Sequence, residues 1–180
     1  MALQSTPYKI ALDISDTDRG CYEQVKFTIA RHPSETELRL VARILAFGLF
    51  YHERLEFGRG LSETEEPALW QKALHGDIEH WIDVGQPDLD RITKGSRKGD
   101  LYSLLVYGNS RVWIEKTLPT ITNLSNVNII QLPSEPMDEL TKVIARNTHW
   151  GIMVTDNVVY VSHGDGQTVI ELTNLKALEA

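Results

Sequence analysis

Residues 77–98, DIEHWIDVGQPDLDRITKGSRK, decide how the chain is read. Side chains at i, i+2 and i+4 of a strand share a face. The alternation predicts a strand over Ile78–Val84, with Glu79, Trp81 and Asp83 on one face and Ile78, Ile82 and Val84 on the other. Gly85 ends it, and Pro87–Arg97 reads as a helix, since proline is tolerated in a first turn and Asp88 and Asp90 suit its positive end. The apolar run Leu101–Tyr107, LYSLLVY, then reads as a buried strand.

Upstream, Ile10, Leu12 and Ile14 alternate with polar residues, and so do Val25, Phe27 and Ile29, which gives two strands joined by a turn. A helix is expected over 34–52. Ser34 and Glu37 have capping-box spacing, and Leu38, Val41, Ala42, Leu45 and Leu49 form an apolar face. Short strands at Leu55–Phe57 and Pro67–Trp70 flank an acidic loop with Glu63, Glu65 and Glu66. Downstream come a helix at Ser110–Thr117, a strand at Val127–Leu132 and a helix marked by Met137, Leu140, Val143 and Ile144. Three alternating segments follow, joined at Asp156-Asn157 and at Gly164-Asp165-Gly166. This order predicts an α/β (α+β) fold with a mixed sheet, and residues 1–180 as one domain.

The chain has 180 residues, with 18 Lys and Arg against 25 Asp and Glu, a formal charge of −7. With 42% hydrophobic and 24% charged residues it has the composition of a globular protein, not of a disordered, collagen-like or coiled-coil one. An acidic total argues against a protein that coats DNA through summed phosphate contacts. The single Cys21 allows no intramolecular disulfide and no cysteine zinc site. The N-terminus lacks a basic segment followed by an apolar core. The longest apolar run, Val41–Tyr51, is broken by Arg43 and Gly48. A soluble cytoplasmic protein with no membrane partner is expected.

Phosphate loops of the GxxxxGK[ST] or GxGxxG type and the GxSxG elbow are missing from the sequence. His75 and His80 lack the spacing of a helical zinc pair, and Gly164-Asp165-Gly166 is explained by a hairpin turn. What remains is the opening stretch. Glu79 and Asp83 on one strand face suit Mg²⁺ or Mn²⁺, which could activate water for phosphoryl chemistry. Arg91, Lys94, Arg97 and Lys98 form a basic run on the next helix. The same residues also suit a solvated strand face and a solvated helix face.

A wider set carries a resemblance. It comprises His32-Pro33-Ser34-Glu35-Thr36, Arg54-Leu55, Arg59-Gly60-Leu61, Glu66-Pro67 with Trp70, Trp81-Ile82-Asp83-Val84-Gly85, Pro87-Asp88 and Arg91-Ile92-Thr93-Lys94. In this order it closely resembles the YaeQ family of bacterial proteins. The resemblance implies a variant of the PD-(D/E)xK, restriction-endonuclease-like fold, with a core of a helix, three strands, a helix and a strand. The N-terminal hairpin and C-terminal meander would then extend the sheet.

The resemblance also implies a site. Asp83 would be the central acid and Glu66 the acid from the second strand, with Glu79 and Glu35 completing a set of metal-binding carboxylates. Gly85 stands where a strand lysine is expected, so Lys94 would replace it. Glu66, Asp83 and Lys94 are thus the candidate catalytic residues. Glu35, Glu66, Glu79 and Asp83 are the candidate ligands of Mg or Mn, and nucleic acid is the candidate substrate. Two alternatives stand beside this nuclease-like reading. One is a non-catalytic binding or adaptor protein on a degenerate nuclease scaffold, with the carboxylates neutralised internally. The other is a set of acids that is mainly structural.

Overall fold

The computed structural model describes residues 4–61 and 63–179. Two mixed sheets enclose one helix. In chain order the elements begin with β1 (Thr6–Asp16), β2 (Cys21–Arg31), α1 (Glu37–Leu49), β3 (Leu55–Phe57), β4 (Leu69–Lys72), β5 (Ile78–Val84), α2 (Leu89–Lys98) and β6 (Gly99–Val106). They continue with α3 (Arg111–Thr117), β7 (Val127–Gln131), α4 (Ser134–Val143), β8 (Asn147–Thr155), β9 (Val158–His163), β10 (Gly166–Glu171) and β11 (Thr173–Lys176). The order helix, three strands, helix, strand therefore runs from residue 37 to residue 106, as expected. No described helix is long and apolar enough to cross a membrane.

One sheet has the order β11-β7-β6-β5-β4-β3 and the other β10-β9-β8-β1-β2. The terminal strands thus differ from the expectation that they would extend the central sheet. Only β11, which the sequence pattern did not mark, does so. The reason lies in α1, whose residues Leu40 to Leu49 are all buried. A helix that is apolar all round needs cover on every side. Leu12, Trp150 and Ile152 cover it from one sheet and Leu69, Ile82 and Leu105 from the other. Its N-cap is Thr36, whose Oγ1 accepts from the Arg39 N–H at 3.1 Å, two residues later than the Ser34 expectation.

Strand patterns follow from this layering. β1 has one solvated face and alternates, with Tyr8, Ile10, Leu12 and Ile14 turned inward. β6 pairs in parallel with β5 and β7 and is covered on both faces, hence its largely apolar run, interrupted only by the buried Ser103 between Leu101 and Val106. On the face away from α1, Trp81, Ile92, Tyr102, Leu104 and Trp113 form a second core beneath α2 and α3. α2 docks there through Ile92, Gly95 and Ser96. A Cβ at Gly95 would stand 2.7 Å from the Tyr102 ring and 2.9 Å from Trp81 Nε1, so only glycine permits this approach.

Candidate functional site

Alternation along β5 holds from Trp81 to Val84 and fails before it. β4 pairs Gln71 with His80 and Lys72 with Ile78, leaving Glu79 as an inserted residue, a β-bulge. Ile78 accordingly packs beside Trp81 and not opposite it. Asp83 keeps its place on the α2 face, just before Gly85 turns the chain with φ of +105°. Asp88 caps α2 by accepting from the Arg91 N–H at 2.9 Å, which fixes Arg91 in the first helical turn above Asp83.

Asp83 is 2% exposed and fully engaged. Arg91 grips it with two hydrogen bonds, Nη2 to Oδ1 at 2.9 Å and Nε to Oδ2 at 3.1 Å. Trp81 Nε1 and the Tyr102 hydroxyl also donate to Oδ2, at 3.2 and 3.0 Å. Three of the four bonds fall on Oδ2 and one on Oδ1, so Oδ2 is fully used while Oδ1, with the Arg91 guanidinium against it, is buried. Burial and the neighbouring Asp83 charge push the Tyr102 hydroxyl well above its ordinary range, which keeps it a donor. Partial burial disfavours the Arg91 cation, but Asp83 outweighs that and raises its pKa. Arg91 also donates to the carbonyls of Thr64 and Glu66, each at 2.9 Å, tying the acidic loop to β5.

The other predicted acids lie in separate hydrogen-bond sets. Glu66 reaches the Asp83 neighbourhood only through its main chain. Its carboxylate turns to the Arg59 N–H at 2.7 Å and to Arg59 Nε at 3.5 Å. Glu79 accepts from Gln71 Nε2 and Arg54 Nη2, both at 2.6 Å, and these bonds hold its carboxyl below the usual range. Glu35 is buried at the start of α1, where Arg39 Nη1 donates to Oε2, Arg43 Nε to Oε2 at 2.8 Å and Arg43 Nη2 to Oε1. Burial pulls the Arg43 pKa down, and the Glu35 carboxylate offsets part of that.

Lys94 points away from Asp83. Its ammonium is 3.7 Å from Glu65 Oε1, and Lys98 is 3.5 Å from Glu65 Oε2. These groups line a groove of about 660 Å³ beside α2, with Thr64, Asp88, Asp90, Arg91, Arg97 and the edge of Trp81. The structure thus joins Asp83 with Arg91, Trp81 and Tyr102, and Lys94 with Lys98 and Glu65. It does not unite Glu35, Glu66, Glu79 and Asp83. A hard divalent cation needs several oxygens converging on one point. Four carboxylates in separate sets, each held by one or two arginines, do not fit such an ion in this arrangement.

The fold and this site define a small α+β protein in which an arginine fork closes the acid near the end of β5. The sequence pattern of the YaeQ protein family matches residues 1–172, and the chain belongs to that family. It is 31% identical over 175 residues to the "Uncharacterized protein YaeQ" of Salmonella typhi and 30% identical to that of Escherichia coli K12. Each alignment covers 96% of this chain and 97% of the relative. The crystal structure of the YaeQ protein from Pseudomonas syringae superposes with a TM-score of 0.93 at 49% identity, over 96% of this chain and 97% of that one. The structure from Xanthomonas axonopodis pv. citri gives 0.91 at 36% identity, over 94% and 97%.

Proposed function

We propose that this chain is a non-catalytic nucleic-acid-binding protein built on a nuclease-like scaffold of the PD-(D/E)xK type and working in the cytoplasm. The run α1, β3, β4, β5, α2, β6 supports the scaffold. The observation that carries the non-catalytic reading is the burial of the Asp83 carboxylate with the Arg91 guanidinium on both of its oxygens. An acid that binds a catalytic cation keeps lone pairs open to it. Here Arg91, Trp81 and Tyr102 saturate Oδ2, the Arg91 guanidinium stands against Oδ1, and the carboxylate is buried beneath α2. Nucleic acid as the ligand is supported by Lys94, Arg97 and Lys98, which gather beside one groove in a chain of net charge −7.

The test is an incubation of the protein with end-labelled single-stranded DNA, duplex DNA and RNA in Mg²⁺ and in Mn²⁺, beside Asp83→Asn. The expected result is retarded migration of nucleic acid with no cleavage above background. Metal-dependent cleavage by the wild type that disappears in Asp83→Asn would overturn the reading.

A further inference from the structure

The groove beside α2 already holds an anion of the protein's own. Lys94 and Lys98 stand four residues apart, so their side chains are neighbours on one helix face. Glu65 lies between them, one carboxylate oxygen facing each ammonium. All three side chains are well exposed, at 67%, 44% and 63%, so packing does not force the contact. Exposed pairs of this kind contribute little to stability. What places Glu65 there is its backbone. Arg91 binds the carbonyls of Thr64 on one side and Glu66 on the other, and is itself anchored by Asp83. The Lys98 ammonium also lies 5.6 Å from the centre of the Trp81 ring, which keeps it over the groove.

We infer that this groove is a binding site for the phosphodiester backbone of nucleic acid, in which the Glu65 carboxylate stands where a phosphate binds. This deepens the binding reading above and rests on it. A phosphate displaces the Glu65 side chain from Lys94 and Lys98 and takes over two exposed cations at little cost in packing. The remaining Arg91–Asp83 fork keeps α2 and the Thr64–Glu66 backbone in place. The buried fork is therefore the frame, and Glu65 is a competitor that raises the threshold for binding. Such contacts follow charge and not base sequence, so the site selects phosphodiesters over particular sequences.

The test compares wild type, Glu65→Gln, Glu63→Gln and the double variant Lys94→Gln/Lys98→Gln, by fluorescence anisotropy. The probes are a labelled single-stranded oligonucleotide, its duplex and inorganic polyphosphate, across a salt series. Glu63→Gln removes the same charge from the same segment while keeping the side-chain oxygen that accepts from the Glu65 N–H, so it controls for net charge. Glu65→Gln is expected to tighten oligonucleotide binding about threefold beyond any gain from Glu63→Gln. The double lysine variant should weaken binding and flatten the salt slope by about one to two. Equal gains from the two glutamate variants, or an unchanged slope in the lysine variant while the wild type binds, would overturn the inference and leave the binding reading standing. Tighter binding of polyphosphate than of either oligonucleotide would reassign the ligand. Failure of every variant to bind oligonucleotide at low salt would overturn the binding reading itself.

Discussion

The helices α1 and α2 carry charge in opposite ways. α1 is buried on every side, yet Arg43, at 3% exposure, sits in its middle and meets the buried Glu35. α2 buries only Ile92, Gly95 and Ser96 and turns Lys94 and Lys98 toward a groove. Partners of the first kind cannot be removed singly, because a charge left in the core has no water to turn to. Partners of the second kind are dispensable for folding and so are available to a ligand. Burial, and not residue type, separates the structural acids from the exposed cations of the groove in this protein.

The contrast can be broken most forcefully at Glu35. Replacing it with alanine leaves Arg43 buried and uncompensated, and should cost about 3–5 kcal/mol in a urea unfolding titration. A loss no larger than that of a surface substitution would show that the cluster is not a condition of folding. Next in size is Gly95→Ala, which presses a methyl group against Tyr102 and Trp81. It should cost about 1–3 kcal/mol and lower the midpoint of thermal unfolding.

His80 tests the α1 side by pH. It lies on the same face as Ile82, edge-on to Phe50 and 2.7 Å from Ser103 Oγ. Burial, and then the charge of Arg19, pulls its pKa from 6.5 to about 4. The folded protein therefore holds His80 neutral while the unfolded chain takes up a proton below pH 6.5. Its contribution to stability is complete above that value and is lost as the pH falls toward 4. Wild type should lose on the order of 2 kcal/mol relative to His80→Gln across this window, measured by urea unfolding at a series of pH values. Parallel curves would refute the burial argument.

The smallest effect belongs to α2. Lys94→Ala and Lys98→Ala should each change stability by less than about 0.5 kcal/mol, checked by the same titration. A larger loss would make these lysines part of the folding frame and would narrow the difference between the two helices.

Much of the fold was legible in short-range patterns. Ile78–Val84 matches β5 at both ends because a buried strand between Asp77 and Gly85 has few other readings. The Asp156-Asn157 turn was marked by residue types that tolerate positive φ, here 52° and 64°. The site was less legible. Asp83 was read as an acid near the strand end and stands there, but its partner Arg91 lies eight residues on, and only α2 docking through Gly95 brings the two together. Glu79 was assigned to the Asp83 face by simple alternation, which the bulge at that residue defeats. Glu65 was visible only as part of an acidic loop, since nothing local says which loop carboxylate will meet which helix lysine.

The sequence by itself determined all but one of the main strands and helices, because periodicity and capping act over a few residues, and the order of its motifs carried the family resemblance. Only the tertiary structure decided that the termini form a second sheet around α1, and that Asp83 is closed by Arg91 while Lys94 faces Glu65. These outcomes depend on which surfaces remain uncovered once the elements pack. They also depend on the low polarity of the core, which makes every buried carboxylate take the nearest cation.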